Sequence, residues 1–327
     1  MSEFRTVIES TLQKHVVGLR QSTLTIGSCF ADGIGERLKN NKINTLVNPF
    51  GSVYNPHSIH KLLHYAIHND QIAANTYLHH HDISLNYDFH SQFSAINYDE
   101  LSHKLSSAIR SSHQFLKQAS TLMITYGTSW VYQRNDVGEI VANCHKMPSH
   151  EFTKSLLSVE NITASFERVY RDLKVFNPEL KIILTVSPVR HTKDTLELNS
   201  VSKSVLRLAC HTLAAQYNDI HYFPAYEIMM DDLRDYRFYK ADMIHPSDVA
   251  EDYIWEKFGE SYFAPDLKTF LPQWKEIQQA INHRPFHASS HAHQTFLKET
   301  LKRLESLKET INVEDEVALI RSQIEKN

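Results

Sequence analysis

The chain has 327 residues, of which 42% are hydrophobic and 22% are charged, and its formal net charge is −4. This composition can support a large core in a soluble protein, organised as one large α/β domain with an appendage or as two domains. A negative chain without a long run of Lys and Arg argues against nucleic acid as a partner, because phosphate attraction dominates that binding.

Apolar runs predict five short strands, and helical periodicity predicts helices in the segments between and after them. The predicted strands are Leu24–Gly27, Ile43–Val47, Leu122–Tyr126, Ile182–Val186 and Ile220–Phe223. The predicted helices are Phe30–Asn40, Pro56–His68, Leu101–Lys117, Phe152–Phe176 and Leu196–Tyr217. Buried strands that alternate with helices indicate a parallel sheet covered on both faces. We predict a flavodoxin-like, three-layer α/β/α sandwich over residues 1–264.

Polar, turn-forming residues follow the predicted strands. Residues 48–52 follow the second strand, residues 127–130 the third and residues 187–191 the fourth. In an open parallel sheet the ligand site lies beyond the carboxyl ends of the strands. We therefore expect the functional residues to come from these segments.

Two segments interrupt the alternation of strands and helices. Residues from about 70 to 100 form an aromatic-rich insertion, which we interpret as a loop on the substrate side. The segments 130–133 and 139–143 flank Asn135-Asp136-Val137-Gly138 and predict a β-hairpin with a glycine turn.

Residues 265–327 have a purely helical pattern. Phe270, Trp274, Ile277 and Ile281 repeat every three or four positions, and a leucine stripe follows from about position 296. The stripe is too short to require a coiled coil. This extension is either a helical cap on the core or an arm for homodimerisation.

The turn Gly27-Ser28-Cys29-Phe30-Ala31 joins the first predicted strand to the first helix. It holds a side chain at the positive end of a helix, where free N–H groups can stabilise an anion. Both Ser28 and Cys29 are nucleophile types.

A candidate general base lies far downstream, at His245. Asp242 precedes it by three residues, and a tight turn there would let the carboxylate fix the tautomer of the imidazole. Together with the turn after the first strand, this pair predicts an acyl-transfer site.

Several ordered motifs carry a resemblance to a known family. They are Gly27-Ser28-Cys29-Phe30-Ala31, Asn48-Pro49-Phe50-Gly51, Gly127-Thr128-Ser129-Trp130, Asn143-Cys144-His145-Lys146, Ser187-Pro188-Val189 and Asp242-x-x-His245-Pro246. The sequence resembles the GSCFA proteins, which are placed in the GDSL/SGNH hydrolase superfamily, over most of residues 3–262. The first and last motifs are the most specific, and members look like bacterial proteins.

The resemblance implies a nucleophile–His–Asp triad. Asp242 and His245 match the final Asp-x-x-His motif directly. Aligning Gly27 with the first glycine of the superfamily's Gly-Asp-Ser motif puts Cys29 at the nucleophile position, whereas a shift of one residue puts Ser28 there. We favour Cys29, because the following residues then match without a gap. A thiol at a helix N-terminus beside a histidine is also expected to have a lowered pKa.

The resemblance further implies three oxyanion donors: the amide of the nucleophile, a glycine amide after the second strand and an asparagine side chain after the third. Gly51 matches the second donor. In the motif that begins at Gly127, Ser129 occupies the position expected for asparagine. Either Asn143 or His145 could replace that donor, or they could close the hairpin.

Two functions of different classes follow from the sequence. The first is an ester or thioester hydrolase or an O-acyltransferase, acting on a small-molecule or carbohydrate ester without a cofactor, with acyl-CoA as one possible substrate. The second is a binding or assembly module that retains the fold without turnover. A third hypothesis, metal-dependent hydrolysis, would use the histidines at 79–81 or 283–293, although neither group has typical ligand spacing.

The chain has no pattern of a signal peptide at its start and no apolar run of roughly 18 residues that could span a bilayer. Its three cysteines are Cys29, Cys144 and Cys210, an odd and widely spaced set that disfavours disulfides. We therefore expect a cytoplasmic protein.

Overall fold

The computed structural model describes residues 5–9 and 16–325. Its strands are β1 (Ser22–Gly27), β2 (Asn44–Val47), β3 (Tyr77–His80), β4 (Ile83–Asn86), β5 (Thr121–Tyr126), β6 (Trp130–Arg134), β7 (Ile140–Val141), β8 (Phe152–Leu156), β9 (Lys181–Val186) and β10 (Ile220–Phe223). Its helices are α1 (Cys29–Asn40), α2 (Pro56–His68), α3 (Tyr98–Gln118), α4 (Val159–Phe176), α5 (Leu196–Gln216), α6 (Ala225–Glu227), α7 (Asp248–Tyr262), α8 (Pro265–Ile281), α9 (His291–Leu307) and α10 (Glu314–Glu325).

The central sheet has five parallel strands in the order β2-β1-β5-β9-β10. Alternate residues of β5 face opposite layers, because successive side chains of a strand point to opposite faces. Ile124 packs in the apolar cluster that holds helices α2, α3, α4 and α5. Met123 packs in the cluster that holds α1 and α7. This arrangement confirms the predicted three-layer sandwich.

Outside the central sheet, the structure adds strands that the sequence pattern did not reveal. The strand β8 was predicted as the start of a helix, but it pairs antiparallel with β6, so the hairpin becomes a three-stranded sheet in the order β7-β6-β8. The helix α4 instead begins at Val159, after Ser158 forms a capping box with Asn161. The aromatic insertion contains the antiparallel pair β3-β4.

The C-terminal helices pack on the layer that contains α1. Trp274 of α8 is buried, and its indole N–H donates to the carbonyl oxygen of Asn40 at 2.9 Å. Lys42 forms an ion pair with Glu316 of α10, with 2.6 Å between Nζ and Oε1. The apolar face of the extension therefore caps the chain's own core, and dimerisation through it stays a prediction. The leucine stripe lies mainly on α9, and α10 follows it as a further helix.

Candidate active site

The turn after β1 is fixed by close backbone packing. Gly27 has a φ of +136°, and a Cβ atom there would lie 2.1 Å from the carbonyl oxygen of Thr125 on the adjacent strand β5. The side chain of Asn48 clamps the same residue, because its Oδ1 accepts from the Gly27 amide at 2.9 Å and its Nδ2 donates to the Gly27 carbonyl at 3.2 Å. The chain direction at the end of β1 is therefore tightly determined.

The structure distinguishes the two candidate nucleophiles. Cys29 is the first residue of α1, and its Sγ lies 3.8 Å from Nε2 of His245. The neighbouring Ser28 is 1% exposed, and its Oγ has no hydrogen-bond partner among the described residues. Only the thiol is thus in contact with the imidazole.

The candidate base is oriented by its own loop. Nδ1 of His245 lies 2.7 Å from Oδ2 of Asp242. Because a carboxylate only accepts, Nδ1 carries the proton and Nε2 presents its lone pair towards Cys29. The other oxygen of Asp242 accepts from the amides of Ile244 and His245 at 2.8 and 3.0 Å. These bonds hold the pKa of Asp242 at about 2, so the carboxylate is ionised at neutral pH.

Further contacts hold this exposed loop against the sheet. The amide of Arg190 donates to the carbonyl oxygen of Ile244 at 3.3 Å, and its guanidinium stacks 4.0 Å from the ring centroid of Tyr239. The amide of Lys240 donates to the carbonyl oxygen of His245 at 2.8 Å. The loop therefore depends on local hydrogen bonds rather than on burial.

The expected low pKa of the nucleophile is wrong. Burial raises the pKa of Cys29 above its usual value, and the nearby carboxylate of Asp32 raises it further. The amides of Cys29 and Phe30 and the charge of Lys203 oppose this shift but do not outweigh it. The resting group is therefore a thiol, and its proton must be removed by a base during the reaction.

Two cavities meet at Cys29 and His245. The larger has a volume of about 790 Å³, and its wall includes Tyr54, Trp130 and Tyr132. The smaller has a volume of about 190 Å³ and extends along α1. A group bound covalently to the sulfur thus has space on both sides.

Apart from Cys29 itself, Asn143 is the one residue predicted as an oxyanion donor that lies on the wall of the larger cavity. The Gly51 amide already donates to the carbonyl oxygen of Asn48 at 2.8 Å, in a tight turn. The Gly127 amide donates to the carbonyl oxygen of Tyr54 at 2.8 Å. Neither glycine amide is free to bind a substrate oxygen.

The two remaining candidates point into the protein. Ser129 is fully buried, and its Oγ lies 3.1 Å from Oγ of Ser202 on α5. His145 is buried, and its Nε2 donates to the carbonyl oxygen of Asn86 at 2.7 Å. Burial also lowers the pKa of His145, so it stays neutral. Neither side chain lines the cavities beside Cys29.

Sequence reasoning missed two charged residues near the carboxyl ends of the strands at the candidate site, Arg190 and Lys203. Arg190 lay in a segment already expected at the site, directly after Ser187-Pro188-Val189, but no pattern indicated its contact with the His245 loop. Lys203 carried a clearer signal, because it shares one face of α5 with the buried Leu206 and Cys210. A charged residue at an apolar position of a helix is rare unless it is paired.

The histidine groups at 79–81 and 283–293 do not border the cavity beside Cys29. A different set, His64, His68 and Asp172, brings possible ligand atoms within 4.8 Å of one another among the described residues. It joins the ends of α2 and α4 away from Cys29. Within the described residues no helix has the length and apolarity to cross a bilayer.

The geometry defines the class as an α/β protein with a cysteine–histidine–aspartate set at the carboxyl end of a parallel sheet. The chain belongs to the GSCFA family, whose model matches residues 22–258. A second model, described as the C-terminal domain of GSCFA domain proteins, matches residues 274–326. No curated protein matches the chain.

The fold is similar to that of two solved esterase structures. A carbohydrate esterase family 3 protein from Talaromyces cellulolyticus is 10% identical with a TM-score of 0.36, over 77% of this chain and 99% of that chain. The acetyl xylan esterase Est2A from the rumen bacterium Butyrivibrio proteoclasticus is 12% identical with a TM-score of 0.33, over 73% of this chain and 64% of that chain.

Proposed function

We propose that this chain is an acyl-transfer enzyme of the SGNH type, which works through a covalent thioester on Cys29. One observation carries the proposal: Sγ of Cys29, the imidazole of His245 and the carboxylate of Asp242 form a continuous chain of contacts at the mouth of a cavity. A nucleophile next to a base that is oriented by a third group is the arrangement that acyl transfer requires.

The reaction begins with transfer of the Cys29 thiol proton to Nε2 of His245. The sulfur attacks the carbonyl carbon of the ester, and the carbonyl oxygen becomes an oxyanion. When the carbon–oxygen bond to the alcohol breaks, the alcohol leaves with the proton from His245. Water or another hydroxyl group then gives its proton to His245 and attacks the thioester. The thiolate that leaves takes that proton back.

The first turn of α1 supplies donors for the oxyanion. The amides of Cys29 and Phe30 are at the helix N-terminus, where they have no acceptor within the helix, and both favour the negative charge of the nearby sulfur. Ser52 also lines the larger cavity, and its amide has no acceptor among the described residues. In our proposal, Ser52 takes the role that the family resemblance implied for Gly51, one residue along the chain.

The larger cavity fits the alcohol part of the ester. Its aromatic wall, formed by Tyr54, Trp130 and Tyr132, offers flat apolar faces beside polar groups such as Asn143 and Arg190. A carbohydrate presents the same mixture of apolar faces and hydroxyl groups. We therefore propose a small-molecule or carbohydrate ester, with a short acyl group in the smaller cavity.

The test compares Cys29→Ala with Ser28→Ala in hydrolysis of 4-nitrophenyl acetate and of an acetyl thioester. We expect at least a thousandfold loss for Cys29→Ala, on the order seen when the nucleophile of a triad is removed. Ser28→Ala should retain most of the activity, because the Ser28 hydroxyl does not contact His245. Intact-mass spectrometry should show one acyl group on the protein, and fragmentation of the digested peptide should place that group on Cys29.

Other outcomes would point to a different nucleophile or to a different function. Wild-type activity in both variants would exclude Cys29 as the nucleophile. Loss of activity in Ser28→Ala alone would identify Ser28 instead. A folded protein with no activity on a broad panel of esters and thioesters, acyl-CoA included, would favour the binding or assembly module. If the enzyme is active, products formed with and without sugar acceptors distinguish a hydrolase from an O-acyltransferase.

A further inference from the structure

Three side chains of metal-binding type converge on the surface where α2 lies beside α4. His64 and His68 are one turn apart on α2, and their ring centroids are 4.4 Å apart. Asp172 of α4 faces this pair. One ligand atom from each of the three residues lies within 4.8 Å of the others. None of them lines the cavities beside Cys29, so this cluster is separate from the candidate active site.

The alignment of the two helices is set by a buried contact earlier along both. Nδ1 of His60 on α2 lies 2.9 Å from Oγ of Ser165 on α4. His64 and His68 follow His60 by about one and two turns of α2. Asp172 follows Ser165 by about two turns of α4. Residues at these spacings share one face of a helix, so the cluster continues the seam between the helices and its backbone is already in place.

The spacing of the ligand atoms suits a tetrahedral metal ion. Zn²⁺ binds imidazole nitrogen and carboxylate oxygen at about 2.0–2.2 Å, so two ligand atoms on one ion are roughly 3.4 Å apart. Nε2 of His68 and Oδ2 of Asp172 are 3.4 Å apart. The side chain of His64 is 51% exposed. Its rotation can therefore complete the ligand set without movement of the backbone.

A second carboxylate orients the imidazole of His64. Asp70 comes directly after Asn69, which ends α2 in a left-handed conformation. Oδ2 of Asp70 lies 3.2 Å from Nδ1 of His64. A carboxylate beside one ring nitrogen favours the tautomer in which the other nitrogen binds a metal, an arrangement that recurs in zinc sites. Nε2 of His64 is thus the nitrogen available to an ion.

The charges of the cluster also favour a divalent cation. Within residues 5–9 and 16–325, no lysine or arginine forms an ion pair with Asp70 or Asp172, whose ion-pair contacts are with the two histidines. With neutral imidazoles, the two carboxylates place two negative charges close together. A divalent ion between them would balance both charges.

We propose that His64, His68 and Asp172 bind Zn²⁺ or a similar transition-metal ion, which links α2 to α4, with Asp70 as a positioning residue. Two nitrogens and one oxygen leave the fourth position of a tetrahedral ion to water. Imidazole suits Zn²⁺, Cu²⁺ and Ni²⁺, whereas Mg²⁺ prefers oxygen ligands. The site is independent of the proposed acyl transfer, because it shares no residue with the catalytic set.

Isothermal titration calorimetry with zinc chloride tests this site. Every protein carries Cys29→Ala, so that the thiol at the candidate active site does not bind the ion, and this variant is the reference. Removal of an orienting carboxylate costs roughly 10–100-fold in metal affinity, so Asp70→Ala should bind Zn²⁺ about tenfold more weakly. His64→Gln/His68→Gln loses two ligands, so its affinity should fall by more, at least about a hundredfold.

His80→Gln/His81→Gln is the matched control. It also removes two neighbouring histidines, whose ring centroids are 3.9 Å apart, at the turn between β3 and β4. This variant should bind Zn²⁺ as the reference does. Equal binding in the reference and in the double variant at 64 and 68 would overturn the proposal. Full affinity in Asp172→Ala would overturn it too, because exposed histidines of α2 alone would then hold an adventitious ion.

Thermal unfolding tests the link between the two helices. An ion that binds the folded arrangement of α2 and α4 raises the melting temperature by mass action. Excess Zn²⁺ should raise that of the reference by about 2–5 °C and leave the double variant at 64 and 68 unchanged. Without metal the two proteins should melt together, because both histidines are exposed. An equal rise with Mg²⁺, or no rise with Zn²⁺, would contradict the proposal. Neither measurement uses an ester, so failure here is distinguishable from failure of the proposed function.

Discussion

The candidate site joins two regions that are held in place by different means. The turn after β1 is buried between strands, and Gly27 is fixed by the adjacent backbone and by the side chain of Asn48. The loop that carries Asp242 and His245 is exposed, with 44% and 42% of their side chains accessible. The nucleophile is therefore positioned by the sheet, and the base by hydrogen bonds within its own loop.

This difference predicts that stability and activity respond separately to substitution. Changes in the buried turn should unfold the protein, because close-packed backbone has no space to adjust. Changes in the exposed loop should mainly affect the reaction, because little apolar surface depends on the loop. The following substitutions test this distinction.

The largest effect is expected for Gly27→Ala. Its Cβ would meet the carbonyl oxygen of Thr125 at 2.1 Å, and its φ of +136° is unfavourable for alanine. We expect a loss of more than about 3 kcal/mol in the free energy of unfolding, as for other severe steric and backbone conflicts. Urea unfolding at pH 7 measures it. Wild-type stability in this variant would show that the turn is less rigid than the structure indicates.

A smaller effect, confined to activity, is expected for Asp242→Ala. Without its carboxylate, His245 loses the acceptor for Nδ1 and is no longer held in the tautomer that accepts a proton from Cys29. We expect at least about a hundredfold loss of kcat with 4-nitrophenyl acetate and a nearly unchanged melting temperature, on the scale reported for general-base catalysis. The control is Asp248→Ala, an exposed aspartate in the first turn of α7. If Asp242→Ala retained full activity, the proposed orienting role would be wrong.

Acid is expected to lower the stability of the protein through a buried histidine in the layer that contains α2. His60 of α2 is buried between Ser165 and Tyr126, and desolvation lowers its pKa to about 3. The unfolded chain binds its proton near pH 6.5, so stability from the neutral group is complete above that pH and falls as the pH drops towards 3. At pH 5 the loss is about 2 kcal/mol, from about 1.4 kcal/mol per unit.

Urea unfolding at pH 7 and pH 5 tests this expectation. His60→Gln should lose this part of the pH dependence, whereas His103→Gln, on the exposed side of α3, should retain it. Asp242 should contribute no change over this interval, because its folded pKa is about 2 and its ordinary pKa is about 4. An equal pH dependence in wild type and His60→Gln would contradict the prediction.

The smallest effect is expected for Gly33→Ala, six residues after Gly27 and inside α1. A Cβ atom at Gly33 would have no neighbour within 4 Å. Alanine favours the helix over glycine by roughly 0.5–1 kcal/mol, so this variant should be slightly more stable. Thermal unfolding in parallel with Gly27→Ala measures the contrast. A destabilised Gly33→Ala would show that the first turns of α1 are more constrained than their open surroundings imply.

Much of the fold could be predicted from local pattern. Apolar runs and helical periodicity predicted the five central strands, because burial on both faces of a parallel sheet requires continuous apolar residues. The strand β8 could not be predicted in this way, since its five residues match a short strand or the start of a helix. In the structure this segment is a strand because it pairs with β6. Such pairing depends on a segment elsewhere in the chain and not on the local sequence.

The sequence by itself determined the types of group at the site, because Cys29 follows a strand and the Asp-x-x-His motif forms its own turn. Only the tertiary structure decided which donors remain free. Gly51, Gly127 and Ser129 have suitable chemistry, but each is already bonded to a neighbour. Burial likewise raised the pKa of Cys29 where its helical position alone favours a lower value. Hydrogen-bond partners and desolvation depend on what the folded chain places around a group, so local sequence does not contain them.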